Sequence, residues 1–353
     1  MRSALWIVLA GTLAAATAGR AQENTAAPPP PKGKLSGEVY YDYFYNVQQA
    51  DSTKKDLQGF QIRRIYFTYD HMIASSFDAR VRFEADSKEL TTPGGKITTF
   101  MKEAYVKWKN IFQGSDLIAG LSPTPTWYVS EDAWAYRSLE KTIMDLRGIA
   151  SRTDIGVDLK GKITDDGLAN YFVKIGNNSG QAPEANKYKR YYGLLHLKPG
   201  SQFQATAYAD YDAEAKRFDP FDGQAKDNGR LTFAGFLNYK EEGKYSIGLE
   251  AFERIAQNNF SSGTGALQNL NTFGVSAFAW GEVADGLRLV GRFDLYDPNT
   301  SADNDGVSFF LGALDYMPVP EVHLMPNIWV QTYQASGLNS DVVARATVAY
   351  FYK

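Results

Sequence analysis

The 353-residue chain has no cysteine, only three histidines, and no excess of basic residues. Without cysteine, neither a disulfide framework nor a thiolate metal site is available. Lys and Arg number 37 against 40 Asp and Glu, a formal charge of −3, so nothing marks a nucleic-acid partner. His71, His196 and His323 stand alone, with no G-x-S-x-G elbow and no nucleophile–base pairing. The chain is therefore expected not to be an enzyme and to need no cofactor or metal. Also lacking, beyond the first few residues, is any apolar run of the roughly 20 residues that a spanning helix takes.

What is present begins with a secretory signal. Met1-Arg2-Ser3 is a basic start and Ala4 to Ala16 an apolar stretch too short to span. Gly19-Arg20-Ala21 is a small-residue end before Gln22. Residues 1–21 are thus expected to be a cleavable signal peptide. Removing Arg2 and Arg20 takes the charge from −3 to −5. Residues 22–33, with four prolines at 28–31, read as an extended linker. An exported chain of this size without disulfides needs another source of stability, such as a sheet closed on itself in lipid. Aromatics make up 14%, with 22 Tyr and 21 Phe; these favour strands, and tyrosine suits the lipid–water boundary.

Periodicity then decides the class. From Phe77 to Asp86 every odd position is apolar and every even one charged, save Ala79 and Ala85, small residues on the apolar side. Ile155, Val157 and Leu159 alternate with Gly156, Asp158 and Lys160. Leu289, Phe293 and Leu295 oppose Arg288, Arg292 and Asp294. Alternation by two puts one face in an apolar medium and the other in water. About sixteen such segments follow one another, starting near residues 34, 59, 77, 99, 116, 153, 167, 188, 202, 229, 244, 271, 286, 306, 321 and 341. Their connections alternate in length. Residues 198–201, 241–243, 283–286 and 318–320 are short; 48–58, 178–187, 214–228 and 256–269 are long and polar. Short periplasmic turns and long external loops are the pattern of an outer-membrane barrel. The expected fold is all-β: a transmembrane antiparallel β-barrel over 34–353, in the outer membrane of a Gram-negative bacterium.

The longest connection, Pro123 to Ser151, is the third external loop. Ser130 is expected to cap a helix reaching about Arg147, stopped by Gly148. Folded inward, this loop would narrow a channel; folded outward, it would cap the rim. Two other stretches have plainer readings. Asp297 to Gly306 is a solvated loop, since the carboxylates a calcium loop needs at Ser301 and Gly312 are missing. Lys187 to Tyr192, basic and aromatic, is a strand entering the aromatic girdle.

Five stretches taken in order resemble the family of phosphate-selective porins O and P. They are Gly59-Phe60-Gln61-Ile62-Arg63-Arg64, Glu103 to Trp108, Ala119 to Pro125, Tyr136 to Glu140 and Asp154 to Gly161. The resemblance covers the N-terminal half, while the C-terminal half agrees mainly in strand rhythm. It implies a sixteen-stranded porin that assembles as a homotrimer. Selective members of the family are similar in lining the lumen with arginines and a lysine cluster.

In this chain the lumen side is expected to carry Arg64, Arg80, Arg82, Lys107, Lys174, Arg190, Arg288, Arg292 and Arg345. Glu84, Asp158 and Asp294 are expected there too, with Asp86, Glu103, Asp210 and Glu250. The constriction would draw on Glu131, Asp132, Arg137, Lys141 and Arg147. A carboxylate near each guanidinium cancels the field an anion would feel. The expected function is passive diffusion of small hydrophilic solutes or ions, with anions such as phosphate among the candidates. The expected partners are outer-membrane lipid and lipopolysaccharide. The alternative is a closed barrel whose external loops act as an adhesin or a structural element.

Overall fold

The computed structural model describes residues 33–86, 97–261, 263 and 265–353. The expected signal peptide and all of the expected linker except Gly33 lie outside the described residues.

The chain runs up and down through β1 (Gly33–Gln48), β2 (Gln58–Ala74), β3 (Phe77–Asp86), β4 (Phe100–Phe112), β5 (Ser115–Pro123), β6 (Thr153–Lys162), β7 (Ala169–Gly176), β8 (Arg190–Leu197) and β9 (Phe203–Asp212). A small hairpin, β10 (Arg217–Phe218) with β11 (Ala225–Lys226), interrupts the series. The wall then continues through β12 (Arg230–Glu241), β13 (Tyr245–Phe260), β14 (Gln268–Ala284), β15 (Leu287–Asp297), β16 (Val307–Val319), β17 (Val322–Tyr333) and β18 (Asp341–Tyr352). Each wall strand pairs antiparallel with its neighbours in the wall, β9 joins β12, and β18 returns to β1. The result is a closed barrel of sixteen strands. Closure leaves no free edge, so every strand's main-chain donors and acceptors find partners inside lipid. No helix among the described residues is long and apolar enough to span; the strands do the crossing.

Alternation fixes the two faces. Val157, Leu249, Leu289 and Phe293 are exposed on the outside, while their strand neighbours Asp158, Glu250, Val290 and Arg292 are buried within. Two-residue turns at Ser75–Ser76 and Gln113–Gly114 close hairpins at one end. Gly114 takes φ +71°, a left-handed conformation that suits glycine. The opposite end carries the long loops, so it is the external one.

Bulges within β2 and β4 interrupt strict alternation. Tyr40 pairs with Arg64 but Tyr41 with Ile62, leaving Arg63 as an extra residue in β2. Arg82 pairs with Glu103 but Phe83 with Met101, leaving Lys102 extra in β4. Such bulges bring two consecutive side chains to one face. Arg63 and Arg64 both turn inward, as do Lys102 and Glu103.

The third loop enters the lumen. It contains two short helices, α1 (Tyr128–Trp134) and α2 (Ile143–Leu146). This corrects the single helix expected from Ser130 to Arg147. The cap is Trp127, and Ser130 lies inside α1 with its Oγ on Glu250 at 2.8 Å. At Ala135 the chain turns left-handed, with φ 59°. The physical reason lies in the wall. Arg63 donates to the carbonyls of Ser138 and Leu139, Arg292 to that of Lys141, and Trp280 to that of Ala133. Trp134 donates within the loop to Glu140 O, at 2.8 Å. Carbonyls that a continuous helix would satisfy internally are satisfied by these side chains instead.

Candidate functional site

The loop spans the lumen because both sides offer it partners. Towards β12–β18 the contacts are apolar and aromatic. Trp134 is 1% exposed and meets Phe278 edge-on at 5.2 Å, with the Arg292 guanidinium 5.4 Å from its ring centre. Phe236, Phe252, Phe309, Leu311 and Met325 all point inward and are buried in the same cluster. Polar pegs fix the position: Tyr136 Oη donates to Asp315 at 2.8 Å, and Arg147 to Gln331 at 3.0 Å.

Towards β1–β4 the contacts are ionic. Glu131 bridges Arg137 and Arg152, the latter at 2.6 Å, and Arg137 also reaches Asp145 at 2.7 Å. Arg152 continues to Glu103 at 3.3 Å, which accepts Arg82 at 3.0 Å and Arg80 at 3.5 Å. Glu84 holds Arg64 and Lys102, each at 2.8 Å. Arg64 and Arg82 both stand over the ring of Tyr66, at 5.5 and 5.2 Å. Burial acts to raise the Glu131 carboxyl, but Arg137 and Arg152 outweigh it and hold the group down to about 2. Asp145, also buried, is held low by Arg137 and then Lys141.

All twelve wall residues singled out from the sequence lie on inward positions. Beyond those just placed, Lys107 meets Asp78 at 3.4 Å, Asp158 meets Lys174 at 2.7 Å, and Arg190 meets Asp210 at 2.7 Å. Arg292 and Asp294 pair at 2.5 Å. Arg288 donates to Gly243 O and lies 5.0 Å from the centre of the Trp280 ring; Arg345 lies 5.1 Å from that of Trp329. The loop residues divide. Glu131 and Arg137 form the ionic bridge, Lys141 lies 3.8 Å from Asp145, and Arg147 faces β17. Asp132 is exposed to a cavity of about 780 Å³ on the periplasmic side of the loop, which Arg82, Arg137, Arg152, His196 and Lys240 also line.

Sequence reasoning missed Arg63, Lys102 and Arg152. For the first two a signal existed: Arg63-Arg64 and Lys102-Glu103 are adjacent charged pairs inside strands, which strict alternation does not permit. It missed the apolar inner wall as well, because an inward Phe in a strand reads like a lipid-facing one.

A closed sixteen-strand barrel with an apolar exterior and an ionised interior is an outer-membrane barrel of a Gram-negative bacterium. The sequence matches no protein-family model and no curated protein. Solved structures do resemble it. The outer membrane channel DcaP of Acinetobacter baumannii superposes with a TM-score of 0.68 at 14% identity, covering 94% of this chain and 100% of that one. An anion-selective porin from Comamonas acidovorans gives 0.64 at 11%, covering 91% and 100%. OmpF from Salmonella typhi gives 0.63 at 10%, covering 91% and 98%. At these identities the likeness is one of fold.

Proposed function

We propose that the protein is a porin through which small hydrophilic solutes diffuse passively, with the third loop as its constriction. The observation that carries this is the charged inner wall. Ionised side chains need water or partners, and sixteen-stranded walls are wide enough to hold an aqueous channel. A loop lodged inside the lumen narrows such a channel, whereas a cap would lie across the rim. The likeness to porins and channels supports the same reading, and the pore-lining role assigned to the twelve wall residues and the five loop residues rests on it.

On selectivity, most inward cations are matched by carboxylates, which cancels their field in the lumen. Arg147, Arg254, Arg288 and Arg345 are inward guanidiniums with no carboxylate within 4.0 Å among the described residues. They leave a weak preference for anions and no dedicated phosphate site, so the narrower role of a phosphate-selective porin is not favoured. Assembly as a homotrimer is part of the proposal, supported by a trimer form among the similar structures.

The test is single-channel recording of the purified protein in planar bilayers, with reversal potentials in unequal chloride salt. Ohmic channels with a small anionic reversal potential are expected, and phosphate should not block at micromolar levels. Absence of channels from correctly folded protein would favour the closed adhesin or structural barrel. Micromolar block by phosphate would restore the phosphate-specific role.

A further inference from the structure

Away from strand ends, the lipid-facing positions of the described strands carry one carboxylate or basic side chain, Glu253. Its direction follows from register. Glu253 pairs with Phe233 on β12 and with Phe273 on β14, both exposed on the outer face. The next residues outward on its own strand are Ala251 and Ile255. Glu253 is itself exposed and makes no hydrogen bond or ion pair. One diagonal step away, the Asn271 side-chain oxygen is buried and lacks a hydrogen-bond partner.

Height places this carboxylate in the outer leaflet. Tyr245, which stands 5.9 Å from Tyr239, marks the periplasmic girdle at the base of β13. Eight residues along a strand tilted about 40° rise about 20 Å, within an apolar band about 25 Å tall. Below Glu253 the outer face hollows into an apolar groove of about 970 Å³, between Leu237, Leu249 and Phe293 over a floor of Ala277, Ala279 and Gly291. A Cβ on Gly291 would meet nothing within 4 Å, so the hollow is open.

An ionisable side chain facing lipid is costly and calls for a named partner. A second copy of the chain supplies none from its wall, because no lipid-facing strand interior among the described residues carries a cation to meet it. We propose that Glu253 and the groove bind one outer-leaflet glycolipid. An acyl chain lies in the groove, and a divalent cation joins the Glu253 carboxylate to a headgroup phosphate. Oxygen ligands from carboxylate and phosphate suit calcium or magnesium.

The test uses the purified full chain in detergent, with lipid A as the probe and native mass spectrometry to count retained lipid. Wild type should keep one lipid per chain in calcium and lose it in EDTA. Glu253→Gln should weaken retention about tenfold in calcium, and Gly291→Phe should weaken it in calcium although the carboxylate is intact. Retention by Glu253→Gln equal to wild type, or indifference to EDTA, would overturn the proposal. So would a change of oligomeric state in Glu253→Gln with lipid retention intact, which would make this face a subunit contact. Both variants are checked for folding by heat-modifiable migration on gels, and Ala279→Phe substitutes for Gly291→Phe if the latter fails to fold.

Discussion

The two halves of the inner wall are built for different tasks. On β1–β4 the inward face carries a dense row of ionised groups, from Asp42 through Arg64, Arg82, Glu84 and Glu103, interleaved with Tyr40, Tyr66 and Thr68. On β12–β18 the inward row holds Phe236, Phe252, Phe278, Val290, Phe309 and Leu311. The loop meets the first half through ion pairs and the second through packed rings. Apolar packing holds a segment in place at any pH or salt concentration, whereas ion pairs depend on both. Anchorage is therefore assigned mainly to the C-terminal half, and the field that solutes meet mainly to the N-terminal half.

Removing the loop should have the largest effect. Deletion of residues 130–147 should raise single-channel conductance several-fold while the barrel still assembles, since the wall's ladder does not use the loop's main chain. Assembly is checked by heat-modifiable migration. An unchanged conductance in a folded deletion would mean that the loop does not limit the passage, and the comparison between the two halves would lose its meaning.

That comparison also explains how much was legible in the sequence. The charged half announces itself: Phe77 to Asp86 alternates almost without fault, and its inward charges Asp78, Arg80, Arg82 and Glu84 follow from spacing alone. Strand number and loop parity were readable for the same reason, since water on one face and lipid on the other leave a period of two. The other half hides its function, because Phe278 and Phe309 face inward onto a loop that itself displaces water. Both faces of those strands are then apolar, and periodicity cannot tell a docking face from a lipid face. The loop's own path was illegible because it is written in the wall. Arg63 points inward only through a bulge, and it is Arg63 and Arg292 that take the carbonyls a helix would have used.

Acid should loosen the ionic side and leave the apolar side intact. Glu131, held at about 2 against an ordinary value of 4.5, contributes stability that is complete above about 4.5. This is lost as pH falls towards 2. The difference corresponds to on the order of 3 kcal/mol. Conductance should rise, with added noise, as the bath approaches pH 2 to 3. The rise should be smaller than in the loop deletion, because Trp134 and its neighbours still hold. In Glu131→Gln the acid-induced step should be absent, and a step of wild-type size would assign the transition to another carboxylate.

The smallest effect, and the one that bears most directly on the charged half, concerns Arg80 and Arg82. Both point inward on β3, and Glu103 accepts from both, while Asp70 takes Arg80 at 2.6 Å. Replacing both with Ala removes two positive charges and leaves Asp70, Glu84 and Glu103 in place. Glu103 keeps Arg152, and Glu84 keeps Arg64 and Lys102, so neither is stranded without a partner. The barrel should therefore fold, conduction should continue, and the reversal potential in unequal salt should move towards cations. Screening sets how far. With a Debye length of about 10 Å at 0.1 M and about 3 Å at 1 M, the shift should be measurable in dilute salt and nearly vanish in concentrated salt. The matching change in the other half, Arg288→Ala, removes a guanidinium that sits against Trp280 with no carboxylate close by, so a shift of equal size there would show that the field does not reside with the paired wall. A salt-independent shift in the double variant would point instead to a change in pore shape, with the loop displaced by the loss of the Glu103 network.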